Sequence, residues 1–197
     1  MEFKRVVRRR RMVREFAPEP IPRAVLERVL EPGLHAPSAG FAQGLELIVL
    51  DRPDQIEDFW RITDPWARKA TAQRGGPPVV VIPIGNVHTY LARYSEPDKQ
   101  GLGMDVEGGW PVPYWDLDAA MSVMLILLAA VDEGLGGWYF GIFRGEAELM
   151  QHLGVPEGLH PIGAVGLGYP SERERRPGSG LWRDRKGLED ALHLGRW

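Results

Sequence analysis

The residues best equipped for chemistry stand near the two ends of the chain. Arg10-Arg11-Met12-Val13-Arg14-Glu15-Phe16 places three guanidiniums close together. Each is a forked donor matched to two oxygens, so the set suits a phosphate. The same charge pattern describes a solvated basic helix, or a basic arm laid on nucleic acid or acidic lipid. A second set, Arg183-Asp184-Arg185-Lys186 before Leu188-Glu189-Asp190, reads by itself as a charged surface at a helix start. Between the two lies Ala36-Pro37-Ser38-Ala39-Gly40-Phe41-Ala42-Gln43-Gly44. Its small residues let backbone amides approach a flat ligand, and Gln43 both donates and accepts; a plain turn has the same composition. Trp110, Tyr114 and Trp115 are closely spaced aromatics that either wall an apolar pocket for a planar substrate or pack in the core.

Several other chemistries are excluded or disfavoured. Without cysteine there are no disulfides, iron–sulfur clusters or thiol nucleophiles. His35, His88, His152, His160 and His193 show no metal-ligand spacing, so no metal is expected. Ser38 and Ser122 lack the nucleophile elbow of a hydrolase. Gly134-Leu135-Gly136 and Gly166-Leu167-Gly168 fall short of a dinucleotide fingerprint. The net charge of −3 argues against general nucleic-acid binding. The apolar run Ala119–Val131 is too short to span a bilayer, which takes about 20 residues. Nor does an apolar segment follow the basic N-terminus as in a secretory signal. The expectation is a cytoplasmic protein with no membrane, nucleic-acid or metal partner.

The elements that must position these residues follow from periodicity. At 197 residues, with 44% hydrophobic and 26% charged, the chain suits one globular domain, 1–197. Residues 1–16 form a basic helix or arm. Pro18, Pro20 and Pro22 stiffen the chain, Pro22 suits the first residue of a helix, and Val25, Leu26, Val29 and Leu30 give that helix its apolar face. Pro32 and Gly33 end it. Leu45–Leu50 predicts a strand with Leu47, Ile48 and Val49 buried. Gln55–Trp60 reads as helical and Gly75–Pro78 as a turn. Val79–Ile84, a run dominated by β-branched residues, predicts a fully buried strand. Glu96–Trp115 reads as a long loop. Asp116–Glu133 is the central helix, closed by Gly134. Trp138–Phe143 is a short strand or turn, Glu146–Leu153 a short helix, and Ile162–Tyr169 a third core strand. The polar extension 170–197 ends in Leu192, Leu194 and Trp197, which need a surface to pack on. Helices mixed with non-alternating strands indicate α+β.

Taken in order, these segments resemble the nitroreductase family of FMN oxidoreductases across nearly the whole chain. Arg10, Arg11, Arg14 and Phe16 fall on its opening motif, and Ala36, Pro37, Ser38 and Gln43 on its second. Gly134-Leu135-Gly136 matches the end of its long helix. Leu153, Gly154, Pro156, Glu157 and Gly158 follow, then Leu167–Pro170, and Leu188, Glu189, Asp190 and His193 in the tail.

The resemblance implies a nitroreductase-like α+β fold: a mixed central sheet flanked by helices, with the C-terminal extension wrapping the partner of a homodimer. It implies FMN as cofactor and NAD(P)H as electron donor. Electrons would pass by a ping-pong route through flavin N5 to a small oxidised substrate of the nitroaromatic, quinone or enone class. Arg10, Arg183 and Arg185 would bind the FMN phosphate, and Arg11 and the backbone near Met12 would follow the ribityl chain. Arg14 would face the pyrimidine edge, where a guanidinium stabilises the charge of reduced flavin. Pro37, Ser38 and Ala39 would reach the partner's FMN, with Gln43 beside them. Backbone at Phe140, Gly141 and Ile142 would lie near N5, and Phe41, Tyr114 and Trp115 would line the substrate pocket. No side chain is assigned as acid or base. Met12 stands where the family usually has Ser, Phe41 where Asn is frequent, and Gly44-Leu45 where Pro-Trp is usual. These departures leave room for a divergent member using another flavin or a deazaflavin, or a non-catalytic flavin-binding or regulatory protein.

Overall fold

The computed structural model describes residues 1–65, 73, 75–174 and 183–197. Among these, four strands form one sheet: β1 (Leu45–Leu50), β2 (Val79–Gly85), β3 (Gly136–Phe140) and β4 (Ala164–Gly168), in the order β1-β2-β4-β3. All three strand pairings are antiparallel. The parallel component is a single bridge between Met12 and Gly137, at the outer edge of β3. Among the described residues, six α-helices surround the sheet: α1 (Phe3–Arg9), α2 (Arg23–Leu30), α3 (Pro53–Thr63), α4 (Val87–Tyr94), α5 (Tyr114–Asp132) and α6 (Glu146–His152).

β2 is buried along its whole length because both of its faces are covered. Val79 and Val81 point into one apolar cluster with α2 and α5; Val80, Ile82 and Ile84 point into another with α3 and α6. That alternation is the two-residue period of a strand, and a strand covered on both sides needs no polar positions. Pro83 lies beyond the three-residue ladder to β4, where its missing donor is tolerated. β1 spans the expected residues, but Leu47, Ile48 and Val49 are half-buried and only Leu50 is fully buried, as suits an edge strand.

α5 is the central helix and starts at Tyr114, two residues before the expected Asp116. Trp115, Ala119, Ser122, Val123, Ile126, Leu127 and Ala130 fall on its buried side, at steps of three and four. Its end is closed by Gly134, with φ of 81°, in paired bonds: Gly134 N–H to Val131 O at 3.2 Å and Leu135 N–H to Ala130 O at 2.7 Å. α5 is long and apolar enough to cross a membrane, yet this side of it is packed in the core. Its other side leaves Tyr114, Leu117, Met121 and Met124 exposed at helical spacing.

Elsewhere the sequence reading needs small adjustments. Pro22 caps α2 and Arg23 opens it, and a 3-10 turn, Glu31–His35, follows. The expected loop 96–115 holds two 3-10 turns, Pro97–Lys99 and Glu107–Gly109, before α5 begins. β4 is confined to Ala164–Gly168. Within the extension 170–197, residues 175–182 lie outside the described residues.

Candidate active site

The basic segment after α1 runs along the outer edge of β3. Val13 N–H donates to Gly137 O at 3.0 Å. A Cβ on Gly136 would come within 2.7 Å of the Val13 side chain, so only glycine admits the segment this closely. Tyr139 N–H reaches the Met12 sulfur at 3.4 Å, and the Arg14 guanidinium stands 6.0 Å over the Trp138 ring. Thus Arg10–Arg14 and Trp138–Phe140, distant in sequence, share one edge. Arg14 is exposed, and Arg10 is half-buried with its Nη1 enclosed. That Nη1 finds no hydrogen-bond partner among the described residues. A buried cationic donor left unpaired is costly, and an anionic ligand is the natural remedy. The other unpartnered buried side-chain atom is Asp116 Oδ1, whose second oxygen lies 3.4 Å from His160.

Arg11 is engaged differently. Its Nη1 donates to Glu174 Oε1 at 2.8 Å, while Glu174 Oε2 accepts from Glu15 N–H at 2.8 Å. The Glu174 side chain is 1% exposed, so the carboxylate is paired on both oxygens. Phe16 also bridges to Pro170, and Ala17 N–H donates to Tyr169 O at 2.8 Å. The start of the C-terminal extension is therefore stitched to the basic segment.

The turn at Pro37–Gln43 lies elsewhere, against α4 and α5. Ala39 N–H donates to Asp118 Oδ2 at 2.8 Å, and Tyr90 OH donates to the same oxygen at 2.8 Å. Arg93 Nε donates to Gly40 O at 2.8 Å, and Gln43 N–H to Ser38 Oγ at 2.9 Å. Gly40, Phe41 and Gln43 have φ of 61°, 56° and 55°. For the two non-glycine residues this left-handed backbone costs roughly 1–3 kcal/mol each. The tethers hold the turn in that conformation, with Phe41 75% exposed. Burial and the Asp118 carboxylate both push the Tyr90 phenol well above its usual range, so it stays a donor.

Of the remaining candidates, Tyr114 is partly exposed, but Trp115 is buried edge-on against Tyr90 and Trp110, where it serves the core. Phe140 and Ile142 are half-buried and Gly141 is exposed. They line a cleft of about 460 Å³ with Phe59, Trp60, Trp138 and Arg144. A larger cleft of about 580 Å³, between Ala17–Ile21, α3 and Gly76–Val79, contains none of the candidate arginines and carries three carboxylates. Arg183 and Arg185 are exposed, and no hydrogen bond ties them to Arg10 or to any other described residue. Among the described residues no group of three or more histidines and carboxylates is placed to hold a metal.

The sequence pattern of the Nitroreductase family matches residues 7–169, from the basic segment through β4. The chain belongs to this family. It is an oxidoreductase of an FMN-dependent, NAD(P)H-using family. Among its relatives is an NADPH-dependent oxidoreductase of Staphylococcus saprophyticus, 23% identical over 94% of this chain and 70% of that protein. NADPH-dependent oxidoreductases of Staphylococcus aureus are 24–25% identical, and the chain spans 65% of their length. Bacillus megaterium NfrA2 superposes with a TM-score of 0.77 at 18% identity, over 100% of this chain and 75% of that one. A Desulfovibrio desulfuricans protein solved in complex with FMN superposes with a TM-score of 0.69 at 20% identity, covering 98% and 95%. These structural likenesses establish the nitroreductase fold.

In this nitroreductase-family chain, the donor set fits FMN: the half-buried Arg10, whose enclosed Nη1 has no partner among the described residues, suits a phosphate, and the exposed Arg14 stands over Trp138. Sequence reading did not find Glu174, Asp118, Tyr90 or Arg93. The one available signal was Asp118, a carboxylate inside an otherwise apolar helix.

Proposed function

We propose that the chain is an FMN-dependent NAD(P)H oxidoreductase acting by a ping-pong route on a small planar acceptor of the nitroaromatic, quinone or enone class. The observation that carries this reading is the lone Arg10 Nη1 on the segment that runs beside Trp138–Phe140. Arg10 binds the phosphate, joined by Arg183 and Arg185 where the extension brings them in. Arg11 turns its free donors to the ribityl chain, since Nη1 is held by Glu174. Arg14 offers its charge to the pyrimidine edge, and the Phe140–Ile142 backbone borders the reacting face. When bound, the flavin supplies the redox chemistry, taking electrons from NAD(P)H and giving them to the acceptor in alternate half-reactions. No side chain is needed as a dedicated acid or base.

The site is completed by a second copy of the chain. Tyr114, Leu117, Met121 and Met124 leave an apolar stripe on α5, and Leu34 adds exposed apolar surface on the adjoining 3-10 turn. Such a stripe on a core helix suits an obligate interface, which buries about 2,000–5,000 Å². Leu192, Leu194 and Trp197 are exposed in the single chain and find cover on the partner. The working unit is then a cytoplasmic homodimer, each protomer a single domain over 1–197.

Anaerobic NADH or NADPH should bleach the flavin's visible band in purified protein, and varied donor against varied acceptor should give parallel double-reciprocal lines. Colourless protein that takes up no FMN would refute the cofactor assignment. A flavin that neither nucleotide reduces would leave a binding protein rather than an enzyme. Intersecting lines would refute the ping-pong route.

A further inference from the structure

We propose that Asp118 is a positioning residue for the acceptor pocket. Acting through Ala39, it holds the Ser38–Gln43 turn as a rigid wall, with the Phe41 ring as its specificity-determining face. This rests on reading the turn as part of the flavin site.

Asp118 sits on the buried side of α5, 6% exposed, between Ala119 and the aromatic cluster of Tyr90, Trp110 and Trp115. A carboxylate is kept in such a place only where donors converge on it. The two that do are the Tyr90 hydroxyl and the Ala39 amide, each at 2.8 Å from the same oxygen. One comes from the core and the other from the turn, so Asp118 joins the turn to the central helix α5.

The other tethers reinforce it. Arg93, which holds Gly40 O, is itself fixed by Asp98 through bonds of 2.8 and 2.7 Å. A Cβ on Gly40 would meet the Tyr94 ring at 2.8 Å, and one on Gly44 would meet Tyr90 at 2.5 Å, so the turn lies flush on α4. The backbone N–H groups of Ala39, Phe41, Ala42 and Gln43 and the Gly40 carbonyl are bonded to Asp118, to Arg93 or within the turn itself. What faces outward is the Phe41 ring, on a backbone angle that a bulky side chain rarely adopts. A flat apolar ring presented on a stiff support favours planar acceptors by stacking and keeps its position without being ordered by the ligand.

The test uses full-length protein with FMN in saturating excess. Three readouts are taken: amide exchange at Ala39 and Gln43, KM and kcat for a planar quinone, and FMN affinity. Asp118→Ala should speed exchange in the turn and raise the quinone KM, each by about tenfold or more, with kcat changed far less. Asp118→Asn keeps an acceptor oxygen but loses the charge, so it should recover most of the loss, leaving a shift of about threefold in both. If Asp118→Ala does not fold, the threefold shift in Asp118→Asn stands alone as the test. Wild-type exchange in the Asn variant would overturn the proposal, and so would an Asn variant no better than Ala. Faster exchange with an unmoved quinone KM would show that the turn is held by Asp118 yet does not wall the pocket, which also overturns it. Failure of the underlying reading shows earlier and separately, as wild-type protein that binds no FMN.

Discussion

The segment Arg10–Arg14 and the turn Ser38–Gln43 are built on opposite principles. In the first, the backbone is anchored to β3 while the guanidiniums of Arg10 and Arg14 keep donors free. In the second, the backbone is tethered by side chains from α4 and α5, and an apolar ring is left outside. In the first region Arg10 and Arg14 have no carboxylate partner among the described residues, and the second region lacks a covering surface. An anion satisfies one and an apolar body satisfies the other, so the two halves of a site can be recognised by what each is missing.

Five changes would break or sharpen that contrast. The largest effect is expected from Met121→Glu with Met124→Glu, which places charge on the stripe of α5. Sedimentation should show the mass fall to that of a single chain, 22.1 kDa, with FMN lost alongside, because folding, association and site completion are linked. A variant dimer that retains FMN would separate the stripe from the site. Next, Arg10→Ala should weaken FMN binding by roughly 1.5–3 kcal/mol, the scale of one charge-assisted contact, as titrated by flavin fluorescence. The pair Arg183→Ala and Arg185→Ala should cost about as much per arginine if the extension closes on the phosphate. Affinity equal to wild type would remove the residue in question from the site.

A smaller effect is expected at Arg14, whose charge matters most once the flavin is reduced. Arg14→Ala should keep most of the FMN and lower its midpoint potential by roughly 20 mV, equivalent to about 1 kcal/mol. An unchanged potential would leave Arg14 as a partner of Trp138 alone. The smallest concerns the link between α2 and the end of α5. Glu133, beyond the end of α5, accepts from Arg28 at 2.7 Å, which holds its carboxyl below the usual range. A lowered value stabilises the fold above the unfolded carboxylate's pKa, and that contribution is lost as pH falls through the folded value. Glu133→Gln should therefore lower Tm slightly near neutral pH and leave it unchanged in strong acid. A shift that persists in acid would point to packing rather than charge.

The sequence was most legible where a signal is local. Val79–Ile84 could be read as a buried strand because its residues are almost all β-branched and turn residues flank it, and Gly134 marked its helix end through a single backbone angle. Boundaries shifted where two signals compete, as at Tyr114, where the Gly-, Pro- and charge-rich run 96–115 suggested a loop and the helix had already begun. The exposed stripe of α5 was hidden for another reason. A helix apolar on nearly every side has no periodicity to reveal which side lacks cover. The site followed the same division. The arginines were visible as a run, whereas the Ala39–Asp118 and Arg11–Glu174 pairs join residues with no common motif. Such pairs exist only once the chain has folded.

The stitching of residues 11–17 to residues 169–174 also sets an order of events during synthesis. The basic segment leaves the ribosome early, yet the strand edges and the carboxylate that fix it are made some 150 residues later. At elongation rates of about 5–20 residues per second, that is a wait of roughly 8–30 s. Through that interval Arg10–Arg14 is a bare cationic tether with neither β3 nor Glu174 to organise it. A nascent chain stalled before residue 164 should then remain colourless in a bath of FMN, and cofactor capture becomes a report that translation has passed β4.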